Sequence, residues 1–509
     1  MTYLKLNDTT VLEFDIAKKF YKIHNPELLP FPLRDRIIDT QNLDLQNAYQ
    51  AAFDNQTAIS NFFHNRTLSV RRENAKYILN QLNIKQGNDF ETRFKTMILC
   101  KALSVDDNYW ITNNENEKWD NVCLSKNPLH ETLQQIALFG KTLTITGTLR
   151  SPEITGQGAY AKAWYRENGE LYLYKASSQK GNESEREVSA SKILDCFNVP
   201  HVKYEMAKKD GKFVCKCKNM NISNSSRVDS IDFEIWTSKK GLDFFVETKK
   251  LDSEMFYKMI VVDYLLANSD RHGGNWGFYM NNKTGQLVGM HPLFDHNNAF
   301  DENFMKDPTG GQCQLMPGKT QKEAALYAIK NCDFRCIKPV NRNMFINSEA
   351  YTVFMKRACE LGLYRKQNLT FFKKIFLSED PYEPIKIKDD NTELYWQKIR
   401  SSLKEKDGQE ESENIGKKYI KRTLALCENM AIKIAAKTAL EEMLNFKFSG
   451  QIERSRKHKM ICNYLASIGV NNNNDFVDYI KKLQNQQCKK NQTKIQQCKK
   501  KDIDFQIEL

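Results

Sequence analysis

The chain has 509 residues, of which 40% are hydrophobic and 27% charged, and this composition is typical of a globular protein of about two to four domains. No apolar stretch approaches the roughly 20 residues of a membrane-spanning helix, so we expect no transmembrane segment. The 13 cysteines follow no repeating frame and no secretory signal is visible, which predicts reduced thiols and a cytoplasmic protein.

The net charge of +13 is compatible with acidic partners, including nucleic acid and anionic lipid. The basic residues are scattered along the chain rather than clustered, so ordinary surface charge is the preferred interpretation. Direct nucleic-acid binding therefore stays open.

Residues 1–138 are predicted to form an accessory region of mixed or mostly helical structure. Ile78 and Leu82 stand at helical spacing, and the Gly-Asn-Asp sequence at residues 87–89 ends that pattern. Residues 67–82 also imitate a helix-turn-helix, but amphipathic helix pairs are more often part of a protein core.

Residues 139–220 are predicted to form a small lobe built on strands. Leu143 and Ile145 alternate with Thr, which predicts a first strand. A second alternating run ends at Lys175, and Asn168-Gly169 predicts a tight turn within it.

Helical spacing and turn signals then follow one another along the chain. The predicted elements are a helix at residues 184–197, a hairpin at 199–217, a helix at 251–267 and strands at 276–280 and 287–290. This order predicts two lobes, the second over residues 221–400.

The C-terminal part follows a loop rich in Gly and Pro at residues 303–320. Residues 401–509 are predicted to form a helical extension with a long helix at residues 417–444. Its basic tail repeats the sequence Gln-Gln-Cys-Lys-Lys at residues 486–490 and 496–500, which is typical of a solvated helix or a disordered tail.

Three acidic or amide residues are suited to phosphoryl transfer, which requires a held triphosphate, charge neutralisation by Mg²⁺ and an oriented acceptor hydroxyl. Asp270 opens a Gly-containing loop after the predicted helix, where it can orient the acceptor and accept its proton. Asn275 offers a neutral oxygen to Mg²⁺, and Asp295 offers a charged one. We predict that Asp270 is catalytic and that Asn275 and Asp295 are metal ligands.

Residues upstream are candidates for binding the phosphates of ATP. Lys175 ends an alternating strand and is predicted to contact the α- and β-phosphates. Glu185 and Glu187 both open the next helix and can pair with this lysine. Glu187 is preferred because it directly precedes the apolar face. Gly156 and Gly158 form a Gly-Gln-Gly sequence whose backbone amides are suited to cradle phosphates.

Two parts of the sequence resemble the HipA-like kinases. One is NSDRHGGNWGF at residues 268–278 followed by HPLFD at residues 291–295, and the other leads from YAKAW at residues 160–164 to LYK at residues 173–175. The resemblance covers about residues 140–350. It implies an α+β, bilobal, protein-kinase-like fold that binds ATP and Mg²⁺ between its lobes.

The same resemblance implies roles for single residues and for partners. Asp270 corresponds to the family's catalytic aspartate, Asn275 and Asp295 to its magnesium ligands, and Lys175 to its ATP lysine. HipA-like kinases phosphorylate Ser or Thr of protein substrates, and the founding members are toxins silenced by a DNA-binding antitoxin. Members can also autophosphorylate in the Gly-rich loop, near which Ser151 and Thr155 are the closest hydroxyl candidates in this chain.

Two alternative functions remain at this stage. The Asp270-Arg271-His272 sequence with Asn275 also resembles the catalytic loop of phosphatidylinositol kinases, so a lipid substrate is the second prediction. A non-catalytic scaffold on a kinase-like fold is the third. Departures from the HipA pattern are the first 138 residues, which do not match the small N-terminal subdomain, and the His-Asn sequence after Asp295.

Overall fold

The computed structural model describes residues 1–64, 66–69, 71–82, 90–147, 149–155, 158–178, 181–367 and 380–403. These residues lie within one compact unit, Met1–Leu403. The helix predicted at residues 417–444 and the repeats of the tail lie outside the described residues, as does Gly156. Among the described residues, no helix is both long enough and apolar enough to cross a bilayer.

Strands and helices both contribute, which confirms the predicted α+β class. The strands are β1 Thr2–Leu6, β2 Thr9–Asp15, β3 Phe20–Ile23, β4 Tyr109–Thr112, β5 Lys162–Glu167, β6 Glu170–Lys175, β7 Tyr204–Lys209, β8 Lys212–Lys218, β9 Ser225–Asp229, β10 Gly277–Asn281, β11 Leu287–Met290, β12 Tyr364–Lys366 and β13 Tyr382–Pro384. The helices are α1 Leu45–His64, α2 Ala75–Gln81, α3 Phe90–Cys100, α4 Glu131–Phe139, α5 Glu183–Leu194, α6 Ser230–Lys239, α7 Phe244–Leu265, α8 Glu302–Lys306, α9 Gln321–Ala328, α10 Ser348–Glu360 and α11 Thr392–Leu403.

The N-terminal residues form an antiparallel sheet in the order β3-β2-β1-β4, together with the helices α1 to α4. Within residues 67–82 the structure has one helix, α2, rather than a helix pair. Arg34 donates from Nη1 to the carbonyl oxygen of Gly285, at 2.8 Å, so this region contacts the turn between β10 and β11. The predicted boundary at residue 138 stays a prediction.

The second sheet has the order β5-β6-β8-β7, and α5 connects β6 to β7. The predicted turn at Asn168-Gly169 is confirmed, and the hairpin predicted at residues 199–217 turns at Asp210-Gly211, because both pairs have positive φ angles at both residues, as a tight two-residue turn requires. The strand predicted from Leu143 and Ile145 is wrong. Residues 141–147 have no strand structure, and Leu143 is 39% exposed although Ile145 packs against the core, so this described segment lacks the neighbouring strand that alternation requires.

The third sheet has the order β11-β10-β9 and packs near the long helix α7. The predicted helix and strands in this part are confirmed, although α7 begins earlier, at Phe244. Asp252 breaks the helical backbone, with φ −157° and ψ 76°. Its carboxylate accepts hydrogen bonds from the backbone N–H groups of Met255 and Met290, each at 3.2 Å. The break therefore ties α7 to β11.

Candidate active site

Lys175, the last residue of β6, places its ammonium group between two carboxylates. Nζ lies 2.5 Å from Oε1 of Glu187 on α5 and 2.8 Å from Oδ1 of Asp295. The side chain of Glu187 is only 1% exposed and that of Lys175 only 13%. Nζ also donates to the hydroxyl of Tyr204 at 3.4 Å. A strand lysine, a helix glutamate and a loop aspartate that are distant in sequence thus meet at one cation.

Burial and charge act in opposite directions on these groups. Burial favours the neutral form of Lys175, but attraction by Asp295 and Glu187 outweighs it and raises the pKa of the lysine well above its ordinary value. Burial also disfavours ionised Asp295, yet Lys175 holds the pKa of that carboxyl well below its ordinary value. For Glu187, burial outweighs the attraction of Lys175 and raises the pKa to about 7. Asp295 is therefore the carboxylate that stays ionised near neutral pH.

Asp295 has an unusual backbone conformation. Its φ angle of +59° lies in the left-handed region, which is uncommon for residues other than Gly, Asn and Asp. The backbone N–H of the next residue, His296, donates to Oε2 of Glu187 at 2.9 Å. Glu187 thus binds Lys175 with one oxygen and fixes the turn at Asp295 with the other. Such strained turns cluster at functional sites.

The loop after α7 holds Asp270 at the surface of the protein. The side chain of Asp270 is 39% exposed, and Nε2 of His272 lies 3.9 Å from its Oδ1. Asn298 donates from Nδ2 to Oδ2 of Asp270 at 3.1 Å. Asn275 donates from Nδ2 to the backbone carbonyl oxygen of Asp270 at 2.9 Å. This hydrogen bond orients the Asn275 amide with Oδ1, the atom suited to a metal, on its other side.

Arg271 joins the two segments that carry the predicted metal ligands. Its Nη1 donates to the carbonyl oxygens of Asn275, at 2.7 Å, and of Phe294, at 3.1 Å. The guanidinium also binds the carboxylate of Asp263 on α7, whose side chain is fully buried. Arg271 therefore stabilises the loop from inside and does not face the solvent.

Glu185 does not share the environment of Glu187. It is exposed, and it accepts a hydrogen bond from the Ser177 hydroxyl at 3.3 Å. Glu185 and Glu187 are two residues apart and therefore lie on different faces of α5, so that one carboxylate is at the surface and the other is buried beside Lys175. Between the two glutamates, the geometry agrees with the preference for Glu187.

The described part of the Gly-Gln-Gly sequence lies near the strand lysines. Gly158 has a φ of +98°, and a Cβ at this position would lie 2.6 Å from Nζ of Lys162. Lys162 is paired with Lys175 in the register of β5 and β6. Gly158 thus lies beside the ammonium group of Lys162, and Lys162 is the strand neighbour of Lys175. Gly156 lies outside the described residues.

Two residues of this site were not predicted. Asn298, which contacts Asp270, follows the predicted ligand Asp295 by three residues, and the polar His-Asn-Asn run there was its signal. Asp263 interrupts the apolar face of α7. A buried carboxylate in an apolar helix requires a partner, and this requirement was the signal that Asp263 pairs with a cation, which in the structure is Arg271.

The donor atoms fit Mg²⁺ better than a transition metal. Among the described residues, no group of three or more His, Cys, Asp or Glu side chains is arranged to hold a metal ion. Mg²⁺ does not require such a cage, since it keeps several waters and binds one or two carboxylates together with substrate phosphates. Asp295 offers an ionised carboxylate, and Asn275 offers an amide oxygen. Both are the hard oxygen ligands that Mg²⁺ prefers.

The sequence was also compared with known proteins. No protein-family model matches the chain. The curated serine/threonine-protein kinase CtkA of Helicobacter pylori is 29% identical over 154 residues, a match that covers 25% of this chain and 46% of that protein. Over this stretch the chain is similar to a serine/threonine-protein kinase. The matched kinase region spans less than half the length of that relative.

Two solved structures are also similar. The crystal structure of the Helicobacter pylori proinflammatory kinase CtkA has 17% sequence identity and a TM-score of 0.32, and it covers 40% of this chain and 90% of that chain. The toxin–antitoxin protein HipA of Shewanella oneidensis, in a complex with HipB and operator DNA, has 13% identity and a TM-score of 0.40, over 79% of this chain and 96% of that chain. The similarity to a kinase rests on the sequence match.

Proposed function

We propose that this protein is an ATP-dependent serine/threonine protein kinase of the HipA-like type. The observation that carries the proposal is the position of the Lys175 ammonium group between Glu187 and Asp295. A lysine held by a helix glutamate and adjacent to a metal-binding aspartate is the arrangement that kinases need for positioning a triphosphate. The sequence similarity to a serine/threonine-protein kinase supports the same conclusion.

The residues of the site divide the work of phosphoryl transfer. Lys175 binds the oxygens of the α- and β-phosphates, while Glu187 keeps its ammonium group in place. Asp270, which is partly exposed, orients the acceptor hydroxyl and takes its proton as the hydroxyl oxygen bonds to the terminal phosphorus of ATP. The bond from that phosphorus to the β,γ-bridging oxygen breaks, and ADP leaves. Asn298 restricts the rotation of the Asp270 carboxylate through its hydrogen bond.

Asn275 and Asp295 are the residues that would hold Mg²⁺. When bound, Mg²⁺ neutralises the negative charge that phosphoryl transfer develops on the phosphate oxygens. The low pKa of Asp295 keeps its carboxylate ionised for this purpose. Gly156 and Gly158 are proposed to bind the phosphates through their backbone amides.

The acceptor is proposed to be a Ser or Thr of a protein. HipA of Shewanella oneidensis is seen with HipB and operator DNA, and a DNA-binding antitoxin partner for this chain stays a prediction of the sequence resemblance. The division at residues 138, 220 and 400 also stays a prediction, as does the C-terminal extension. Ser151 and Thr155, the closest hydroxyl candidates for autophosphorylation, are both buried, so modification of either one requires its hydroxyl to become exposed.

The proposal is tested by incubating the full chain with labelled ATP and Mg²⁺. We expect label in protein for the wild type, and a loss of at least about 100-fold for Asp270→Asn and Asp295→Asn, because each removes a charge that acts in the transition state. Asp301→Asn is the matched control. Asp301 caps α8 through its side chain, and Asn is an equally good cap.

The outcome also separates the alternatives. Equal labelling by the wild type and both active-site variants would contradict the kinase proposal. Label that appears only in phosphoinositide vesicles added to the reaction would replace the protein substrate by a lipid. No label and no binding of ATP with Mg²⁺ would favour a scaffold.

A further inference from the structure

A segment of the N-terminal region lies against the residues on both sides of the Gly-Gln-Gly loop. We call these residues the stems of the loop, 151–155 before it and 158–164 after it. We call residues 66–75 without residue 70 the N-terminal clasp. The backbone N–H of Leu68 donates to the carbonyl oxygen of Ile154, before the loop, at 2.9 Å. The backbone N–H of Glu73 donates to the carbonyl oxygen of Ala159, after the loop, also at 2.9 Å. The clasp thus contacts the chain on both sides of the loop.

Arg72 lies between these two contacts and reaches both stems with one side chain. Its Nη1 donates to the carbonyl oxygen of Glu153 at 3.3 Å, and its Nη2 donates to the carbonyl oxygen of Lys162. Arg72 is only 4% exposed. Burial lowers the pKa of Arg72 to about 10, against the attraction of Glu153, so the guanidinium remains charged at neutral pH. A planar guanidinium with several N–H donors is well suited to join two carbonyl groups.

A second buried side chain, the carboxylate of Glu153, joins the stem before the loop to the stem after it. Glu153 is fully buried, and its Oε1 accepts a hydrogen bond from the backbone N–H of Trp164 on β5 at 2.8 Å. Its Oε2 accepts a hydrogen bond from the Ser151 hydroxyl. The stems are therefore joined to each other through Glu153 and to the clasp through Arg72.

The clasp itself is anchored to the helix that precedes the lobe. Asn74 has a φ of +66° and donates from Nδ2 to the carbonyl oxygen of Ala137 on α4 at 3.4 Å. Gln134, also on α4, donates from Nε2 to the carbonyl oxygen of Trp164 at 2.8 Å. The clasp, α4 and β5 are thus connected to one another by hydrogen bonds.

We propose that Arg72 is a positioning residue, and that through it the N-terminal clasp holds the described residues on the two sides of the Gly-Gln-Gly sequence, 151–155 and 158–164, in place for the binding of nucleotide phosphates. This inference rests on the proposed kinase function. A loop that binds phosphates through backbone amides must be ordered before the ligand arrives, because otherwise part of the binding free energy is spent in ordering it. On this view, the N-terminal region is part of the nucleotide site.

The test compares Arg72→Met and Arg72→Lys with Arg71→Met, in the full chain. Arg71 is exposed and adjacent, so its variant controls for the loss of a positive charge. We expect Arg72→Met to weaken binding of ATP with Mg²⁺ by about tenfold or more in calorimetry, since hydrogen bonds from a charged group are lost. Arg72→Lys should recover part of the affinity. Arg71→Met should bind like the wild type.

Adenosine distinguishes positioning of the loop from general damage. It lacks phosphates, so its affinity should be the same in Arg72→Met and in the wild type. Without nucleotide, we expect faster amide hydrogen exchange in peptides that cover residues 151–164 of the Arg72→Met protein. If Arg72→Met does not fold, the same comparisons are made with Arg72→Lys, for which we expect a smaller loss of ATP affinity.

Three outcomes would overturn the inference. They are unchanged ATP affinity, an equal loss of affinity for adenosine and ATP, and unchanged exchange of the loop peptides. A wild-type protein that binds no ATP would instead refute the proposed kinase function, and this inference with it.

Discussion

Arg271 and Asp263 form a buried ion pair, with Nε 2.9 Å from Oδ2 and Nη2 2.9 Å from Oδ1. Their side chains are only 2% and 0% exposed. Asn268 adds a hydrogen bond from Nδ2 to Oδ1 of Asp263 at 2.9 Å. Because Arg271 also binds two backbone carbonyls, the pair connects α7 to the segments that carry Asn275 and Asp295.

Arg271→Met should therefore destabilise the whole protein. The substitution leaves the Asp263 carboxylate buried without its cation, and breaking such a pair costs about 3–5 kcal/mol. The free energy of unfolding, measured by urea denaturation, checks this. The double variant Arg271→Met with Asp263→Leu should recover part of the loss, because it removes both charges. A loss of less than about 1 kcal/mol in the single variant would contradict the structural role of the pair.

Glu187→Gln should reduce phosphate transfer much more than Glu185→Gln. The first variant removes the buried carboxylate that contacts Lys175, whereas the second changes a carboxylate at the surface. We expect kcat/KM for ATP to fall by about tenfold or more in Glu187→Gln, which corresponds to about 1.4 kcal/mol of lost stabilisation. Glu185→Gln should stay within about twofold of the wild type. Steady-state kinetics with labelled ATP provide the measurement, and equal effects of the two variants would exclude a specific role for Glu187.

Lys162 should make stability depend on pH. Burial, followed by repulsion from Arg72 and Lys175, lowers the pKa of this lysine from 10.5 to about 7 in the folded protein. Between these two values the unfolded chain binds more protons than the folded one, so the contribution of Lys162 to stability rises with pH. Below about pH 7 both states are protonated at this lysine and its destabilising effect is complete.

The free energy of unfolding of wild type and Lys162→Met, measured at about pH 6.5 and about pH 9.5, tests this sign. We expect the difference in free energy of unfolding between Lys162→Met and the wild type to favour the variant more at the lower pH than at the higher pH. Lys192→Met removes an exposed lysine and serves as the control. If wild type and Lys162→Met show the same dependence on pH, the pKa of Lys162 is not lowered.

Several elements of this protein could be predicted from the sequence because their causes are local. The hairpin turn at Asn168-Gly169 follows from the positive φ angles that these residues tolerate, and α5 follows from helical spacing. The order of Lys175, Asp270 and Asp295 along the chain was enough to predict a phosphate-handling site. These predictions need only neighbouring residues and residue types.

The remaining features depend on contacts between distant segments. Alternation at Leu143 predicted a strand, but a strand needs a partner, and the sequence does not say which segment supplies one. The contacts of Arg271 with Asp263, and of Arg72 with the loop stems, join residues whose proximity is created only by folding. By itself, therefore, the sequence determined the chemical groups of the candidate site and the local elements that carry them. The tertiary structure decided which charges are buried together, because burial and pairing are properties of the packed chain.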